Sequence, residues 1–211
     1  MKVADGHADT NALATFYSWH ESAYPREAMR MTYTSNHDQN AWEGTEYEEY
    51  GPAREAAIVL SVVGEGIPLI YNGQEVGNRR RLAFFEKDPI VWPADYALDE
   101  QGELYRRLFA LKHQNLALQN GQWGGLMHKV ENTAPTKVLS FFREKDGDRV
   151  FVALNLSGDE QVVTFSGVHH WGTYQNVSDE RPAIVDADTT MTLSPWGWTV
   201  LARTQGPADR P

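Results

Sequence analysis

The residues best suited to chemistry lie in one polar segment, residues 34–42, with the sequence TSNHDQNAW. This segment follows a short strand-like run at residues 29–34. Functional side chains in α/β folds lie just past the carboxyl ends of such strands. His37 and Asp38 are adjacent, so a single loop carries a hydrogen-bonding ring and a negative charge. Together they are suited to holding sugar hydroxyls and to stabilising a developing cation. Asn, His and Asp are also common turn formers, so a purely structural turn is the alternative.

A second polar segment follows the apolar run IPLIY at residues 67–71, which has the pattern of a buried parallel strand. The run ends at Tyr71, and the loop after it contains Glu75. For these two side chains, a structural role and a binding role are equally compatible with the pattern.

The elements that must position both segments alternate between helix and strand. Helical patterns cover residues 11–29, with a break at Pro25, and residues 52–63 and 104–118, and the two strand candidates lie between them. This order is typical of a mostly parallel sheet. Two parallel strands cannot cover both faces of a sheet or close a barrel, so we expect residues 1–121 to be the end of a larger α/β domain.

From residue 122 the pattern changes to short β runs separated by turns. An Asp146-Gly147 hairpin signal joins two of these runs, and four more runs follow before residue 203. We expect residues 122–205 to form a small antiparallel β-sandwich and residues 206–211 to be a disordered tail. The expected fold class is therefore α/β followed by all-β.

Composition and charge narrow the classes of partner. The 211 residues carry a formal charge of −10, which repels phosphate, so we expect neither nucleic acid nor a membrane surface as a partner. The absence of cysteine excludes disulfides and thiolate chemistry. No secretory signal is recognisable, so the location is unassigned, with the cytoplasm as the default. We expect no metal and no cofactor, and the acidic residues at 43, 46, 48 and 49 are interpreted as a solvated loop.

Three segments, in the order in which they occur along the chain, resemble the alpha-amylase family of glycoside hydrolases, family 13. They are TSNHDQNAWEGTEYEEYG, GIPLIYNGQEVG and RRLAFFEKDPIVW. The resemblance implies that NHD follows the seventh strand of a (β/α)8 barrel and that the GxPxxYxGxE-like pattern marks the eighth, whose rim Tyr71 and Glu75 would shape. Residues 104–121 resemble the last barrel helix. The implied fold is the C-terminal portion of a TIM (β/α)8 barrel followed by a small antiparallel β-sandwich.

The same resemblance implies roles for individual residues of the first segment. Asp38 matches the family's third catalytic carboxylate, which orients the substrate and stabilises the transition state. His37 matches the residue that hydrogen-bonds sugar hydroxyls in the subsite being cleaved, and Asn36 beside it is a further substrate-binding candidate. Trp42 is a candidate stacking platform, with a loop-anchoring aromatic as the alternative.

The family also uses two carboxylates that this sequence does not supply. Its nucleophile comes from a GxRxD-type motif and its acid from a Glu, both on earlier strands, and no Arg-x-Asp triplet occurs here. The intact protein is expected to act on α-glucosidic bonds of an α-glucan or maltooligosaccharide by a retaining mechanism, which requires both groups. This chain alone is expected to be inactive, and the missing N-terminal part of the barrel or another chain would complete it.

Three alternatives remain open. A non-catalytic carbohydrate-binding protein would carry an exposed row of coplanar Trp or Tyr rings on the sandwich. An assembly partner would expose a large apolar patch on residues 52–71. A hydrolase that uses Asp38 and Glu75 as its carboxylate pair would hold the two groups about 5–5.5 Å apart for retention.

Overall fold

The computed structural model describes residues 8–205. The first part of this range alternates between helix and strand, and its two strands pair in parallel, with Met31 opposite Ile67. Its elements are α1 (Thr10–Ala23), β1 (Met31–Thr32), α2 (His37–Trp42), α3 (Glu46–Tyr50), α4 (Arg54–Val63), β2 (Ile67–Pro68) and α5 (Glu100–Gln114). The expected tail at residues 206–211 lies outside the described residues.

The second part is antiparallel. A six-stranded sheet has the order β3-β4-β5-β10-β7-β8, and β6 pairs with β9 in a separate two-stranded sheet. The strands are β3 (His128–Lys129), β4 (Val138–Lys145), β5 (Asp148–Asn155), β6 (Gln161–Thr164), β7 (Gly172–Asn176), β8 (Pro182–Val185), β9 (Thr190–Leu193) and β10 (Trp198–Arg203). The expected α/β portion followed by an antiparallel sandwich is confirmed, including the hairpin between β4 and β5, whose turn residues Asp146 and Gly147 both have positive φ.

The six-stranded sheet lies between the helices and the small sheet, and the two faces of β5 show this arrangement. Val150, Val152 and Leu154 belong to the same buried cluster as α4 and α5. Phe151 and Ala153, which alternate with them, belong to the cluster that includes β6 and β9. Because both faces are covered, this strand is apolar in every central position, and it forms the middle of the whole core.

Four expectations need correction. The first helix ends at Ala23 and does not resume after the expected break at Pro25, because the residue before a proline is restricted away from helical geometry. The second strand is two residues long and Ile67 is 39% exposed, because β2 has a paired neighbour on one side only within the described chain. The acidic segment is helical, as α3. Strand β8, which the sequence did not indicate, lies at the sheet edge, where its initial Pro182 removes no ladder bond.

A fully buried guanidinium joins the helical part to the sheet. Arg143 of β4 is 1% exposed, and its nitrogens donate to four backbone carbonyls: those of Val63 and Gly64 at the end of α4, and those of Gln119 and Gly125. The acceptors include a helix C-terminus, whose carbonyls have no partner inside the helix and whose dipole favours a cation. The side chain thus satisfies backbone groups that would otherwise be buried without partners.

We predict that Arg143→Met lowers the free energy of unfolding by about 3 kcal/mol or more, because several buried carbonyls lose charged donors at once. Denaturant unfolding at neutral pH measures this change. Arg106→Met is the matched control, because Arg106 lies on the exposed side of α5 in a surface ion pair with Glu103, and it should change stability by less than about 0.5 kcal/mol. Equal losses in the two variants would show that the carbonyl cluster is not a special source of stability.

The neighbouring Lys112 gives the chain a pH-dependent stability. This α5 side chain is 8% exposed, and its Nζ donates to the carbonyl of Leu118 at 2.6 Å. Burial, with a smaller contribution from the charge of Arg143, lowers the pKa of Lys112 to about 7. The folded chain therefore binds fewer protons at this site than the unfolded chain does between pH 7 and the usual lysine pKa of about 10.4.

Lys112 should consequently make the free energy of unfolding rise as the pH increases from about 7 towards about 10. The variant Lys112→Met, which cannot ionise, should flatten this part of the curve. Unfolding measured over this pH range in wild type, in Lys112→Met and in the exposed-site control Lys87→Met tests the assignment. A slope that persists in Lys112→Met would assign it to another group.

No helix among residues 8–205 combines the length and apolar character that crossing a bilayer requires.

Candidate functional site

The polar segment after β1 folds into the short helix α2, and Asn36 is its N-cap. Asn36 Oδ1 accepts a hydrogen bond from the backbone N–H of Gln39 at 2.9 Å, so the oxygen of this candidate binding residue holds the helix start. His37 and Asp38 follow in the first turn. Their side chains are 66% and 61% exposed, and His37 Nε2 lies 3.6 Å from Asp38 Oδ2. The imidazole and the carboxylate are therefore side by side on an open surface, where both can contact a ligand.

The loop after β2 lies at the same carboxyl end of the parallel pair. Tyr71 and Glu75 flank a tight turn in which Glu75 Oε2 accepts from the backbone N–H of Gly73 at 2.7 Å, and Gln74 Oε1 accepts from the N–H of Tyr71 at 2.8 Å. Both loops are in contact, because Gln74 Nε2 donates to the hydroxyl of Thr34 at 2.9 Å. The topology thus brings the two sequence-predicted segments together, and the Glu75 carboxylate holds its own loop. A catalytic pairing of Glu75 with Asp38 stays a prediction.

A buried carboxylate beneath these loops connects them. Glu46 of α3 is 2% exposed and accepts hydrogen bonds from Thr34 Oγ1 at 2.8 Å and from the side-chain amides of Gln74 and Gln101. The three donors come from the end of the β1 segment, the β2 loop and α5. Burial raises the pKa of Glu46, and the hydrogen bonds from the three donors oppose that rise. The expectation that this acidic run is a solvated loop is therefore wrong for Glu46.

Glycine completes the contact between the β2 loop and α5. A Cβ at Gly102, near the start of α5, would lie 2.2 Å from the carbonyl oxygen of Glu75, so no larger residue fits without moving backbone. Next to it, Gln101 Nε2 donates to the carbonyl of Gln74 at 2.9 Å. The rim of the site is thus fastened to a helix whose other face belongs to the main core.

Aromatic rings surround the exposed end of α2. Trp42 is 62% exposed, and its ring centroid lies 5.4 Å from that of Phe84 and 6.3 Å from that of Phe85. Phe84 also stacks on His37, with centroids 5.7 Å apart. From the sequence, the two phenylalanines are part of a family-like segment and have no predicted role.

The sequence contains a signal for Glu46 and a signal for the pair Phe84 and Phe85, although neither was identified as part of the site. Thr45 and Glu48 have the T-x-x-E spacing of a capping box, and both of its hydrogen bonds form at the start of α3, which predicts a helix with Glu46 in its first turn. The pair at positions 84 and 85 puts two large apolar rings in a polar loop, and this is a pattern of exposed contact residues.

Comparison with known proteins identifies the architecture. The alpha-amylase MalA of Haloarcula japonica is 27% identical to this chain over 196 residues, which is 92% of the chain and 28% of MalA. Alpha-amylase 2 of Dictyoglomus thermophilum is 23% identical over 158 residues, 71% of this chain and 26% of that protein. No family model matches the chain.

The chain matches the C-terminal part of the alpha-amylase family. The structure of the maltogenic alpha-amylase AmyB from Thermotoga neapolitana superposes with a TM-score of 0.77 and 19% identity, covering 97% of this chain and 48% of AmyB. An alpha-amylase from Lactobacillus plantarum gives a TM-score of 0.71 at 18% identity, with 96% and 45% coverage. These solved structures share the fold, and the chain spans between a quarter and a half of the length of these alpha-amylases.

We predict that Glu46→Gln destabilises the chain by about 1–3 kcal/mol, because both carboxylate oxygens accept hydrogen bonds and the amide NH2 that replaces one of them must face at least one donor. Thermal or denaturant unfolding measures this loss. Glu43→Gln makes the same chemical change at an exposed position in the same segment and should stay within about 0.5 kcal/mol of wild type. A Glu46→Gln variant as stable as the control would contradict the proposed network.

Proposed function

We propose that this chain supplies the C-terminal part of the catalytic barrel, together with the β-sandwich, of an alpha-amylase-like glycoside hydrolase. In this proposal the intact enzyme acts on α-glucosidic bonds of an α-glucan or maltooligosaccharide by the retaining route. Asp38 stabilises the transition state, His37 hydrogen-bonds the sugar in the subsite being cleaved, and the chain alone is inactive.

The observation that carries the proposal is the exposed His37–Asp38 pair at the carboxyl end of β1, beside the loop after β2. A carboxylate that remains exposed and next to an imidazole suits charge stabilisation at a developing oxocarbenium ion and hydrogen bonding to hydroxyls. Trp42 beside them suits contact with a pyranose ring. Tyr71 and Glu75 support the rim, and Asn36 holds the helix that presents the pair.

Solved relatives support the class of ligand. The alpha-amylase of Geobacillus thermoleovorans, with a TM-score of 0.67, was solved in complex with acarbose, and AmyP, with a TM-score of 0.65, in complex with maltose. Both are under 25% identical to this chain, so the choice of an α-glucan as substrate rests on the resemblance together with the geometry of the site.

The need for a completing barrel part is supported by an apolar groove of about 350 Å³ beside β1. Phe16 of α1 is 49% exposed, Met31 of β1 is 59% exposed and Tyr33 is 36% exposed, and all three line it. Within the described chain, β1 pairs on one edge only. A barrel part that adds a strand to this edge would cover these side chains.

The same surface bears on the alternative of an assembly partner. Residues 56–63 are mostly buried within the core, so they do not form the apolar patch that this alternative expects on residues 52–71. The exposed apolar side chains lie instead in the groove, at Phe16, Met31 and Tyr33.

The carbohydrate-binding alternative expects a row of Trp or Tyr rings on the sandwich. Among the described residues, the ring contacts within the sandwich involve Phe and His, with no stacked Trp or Tyr pair. The catalytic-part proposal therefore has the stronger support.

The test measures reducing-sugar release from maltoheptaose and sugar binding by the purified chain, with Asp38→Asn and His37→Ala as variants. We expect no release above background, because the nucleophile and acid are missing. We also expect weak binding of maltoheptaose, visible by NMR at millimolar sugar, that His37→Ala reduces.

Release that disappears in Asp38→Asn would overturn the inactivity and indicate a second carboxylate within this chain, for which Glu75→Gln is the next variant. Binding that is unchanged in both variants would remove Asp38 and His37 from the sugar site. A folded, soluble chain with no detectable binding would contradict the substrate-binding roles assigned to this part.

A further inference from the structure

A histidine is buried inside the β-sandwich, which contains none of the residues assigned to the sugar site. His170 belongs to the loop of residues 166–171 between β6 and β7, and it is 2% exposed. Its ring stacks on Phe151 of β5, with centroids 5.5 Å apart and an interplanar angle of 25°, and meets Phe165 edge-on at 6.2 Å. Both phenylalanines belong to the cluster shared with β6 and β9. The loop thus inserts a titratable ring into a core of aliphatic and aromatic side chains.

One ring nitrogen of His170 has no hydrogen-bond partner. Among residues 8–205, no donor or acceptor reaches its Nε2, although this atom is buried. A neutral imidazole can occupy such a position at the cost of one unpaired polar atom. A protonated ring would bury a positive charge together with an unpaired N–H, which is far more unfavourable. The site therefore accepts His170 in its neutral form.

The charged groups around His170 strengthen this preference. Burial lowers the pKa of His170, and the charges of Arg149 on β5 and of His169 in the same loop lower it further. Arg149 is itself paired with Glu144 of β4. The titratable group on β7 is Tyr174, and burial raises its pKa, so it stays neutral at neutral and acidic pH. No carboxylate is hydrogen-bonded to the His170 ring among the described residues, so nothing there compensates a proton on it.

His170 is also the residue that attaches its loop to the core. The five other residues of the loop are exposed, including Val168 at 55% and Trp171 at 37%. Two further hydrogen bonds hold the end of the loop: the Tyr174 hydroxyl donates to the carbonyl of His170 at 2.5 Å, and Arg149 Nη1 donates to the carbonyl of Trp171 at 2.8 Å. Because the loop buries no other side chain, its packed position depends on the burial of this one ring.

We propose that His170 is an acid-sensitive switch, whose protonation drives its ring out of the sandwich core and opens the loop of residues 166–171. In the open form both ring nitrogens bind water, and the faces of Phe151 and Phe165 that the ring covers become accessible. Return to neutral pH removes the proton and closes the loop. The switch thus uncovers an apolar surface at acidic pH, and it does not depend on the proposed function.

Proton linkage determines the pH range of the switch. A histidine in an unfolded or open segment has a pKa of about 6.5, and the closed site binds the proton less readily than that. The opening equilibrium is therefore constant well above about pH 6.5 and shifts towards the open form as the pH falls below it. One proton shifts the equilibrium by at most about tenfold per pH unit, until the pKa of the closed site is reached. This range lies below the one in which Lys112 acts.

The experiment measures amide hydrogen exchange in the full chain between about pH 7.5 and about pH 5, corrected for the intrinsic pH dependence of exchange. The reporters are the amides of Ser166 and Trp171, whose N–H groups donate to the carbonyls of Glu131 at 2.8 Å and of Val168 at 3.1 Å. We expect their protection to fall several-fold per pH unit below about pH 6.5, whereas the amides of β5 keep theirs.

Two matched variants assign the response. His170→Phe keeps an aromatic ring against Phe151 but cannot bind a proton, so it should abolish the acid-dependent loss of protection. His169→Phe makes the same change at the exposed neighbouring position and should retain that loss. An equal acid response in His170→Phe and in wild type would overturn the switch.

An NMR titration of the His170 imidazole in wild type gives a second measurement that needs no variant to fold. We expect a midpoint below about 6.5, the value of an unperturbed histidine. A midpoint at or above this value would contradict the proposal. Loss of protection that is equal in the loop and in β5 would show that acid unfolds the whole sandwich, and it would equally overturn a local opening.

Discussion

The buried carboxylate of Glu46 is the interaction on which the geometry of the site depends. It lies in a short helix between the two polar loops and takes hydrogen bonds from one side chain of each loop and from α5. A buried carboxylate is unfavourable unless donors surround it, so the two loops and the helix must be in place together for the charge to be accommodated. This requirement couples segments that are far apart in sequence, because Thr34 and Gln101 both donate to the Glu46 carboxylate.

Arg143 is a second buried charge that must be surrounded by hydrogen-bonding partners, and the parts of the chain that it connects are larger. There a buried cation satisfies carbonyls of α4 and of the segment after α5, and so it attaches the helical part to the six-stranded sheet. The sheet in turn buries one face against α4 and α5, and the indole of Trp198 at the start of β10 donates to Glu55 of α4. The rim of the site is therefore supported by the sandwich through α5, although no sandwich residue reaches the catalytic pair through the contacts described above.

Much of this could be predicted from the sequence because it depends on local pattern. Asp146-Gly147 identifies the hairpin, since only residues that tolerate positive φ suit its turn, and the apolar run before Gly64 identifies α4. The role of Glu46 could not be read in this way. Its neighbours Glu48 and Glu49 have the same residue type, and which of the three is buried depends on the angle at which α3 meets α5. A tertiary contact decides that angle, and no local preference encodes it.

The contacts among the rings of Trp42, Phe84 and Phe85 show why the site was only half predictable from the sequence. His37 and Asp38 are adjacent, so their proximity is certain from the sequence, whereas Phe84 lies 47 positions after His37. What brings the rings together is Asn40, whose side chain faces inward from the same helix that presents His37 and holds the backbone of Leu82. A single buried amide thus fixes both the helix and the loop, and the exposed surface that results is apolar although most of the loop is polar. The exposed rings keep their positions because the segment that carries them is anchored by the buried side chain of Asn40.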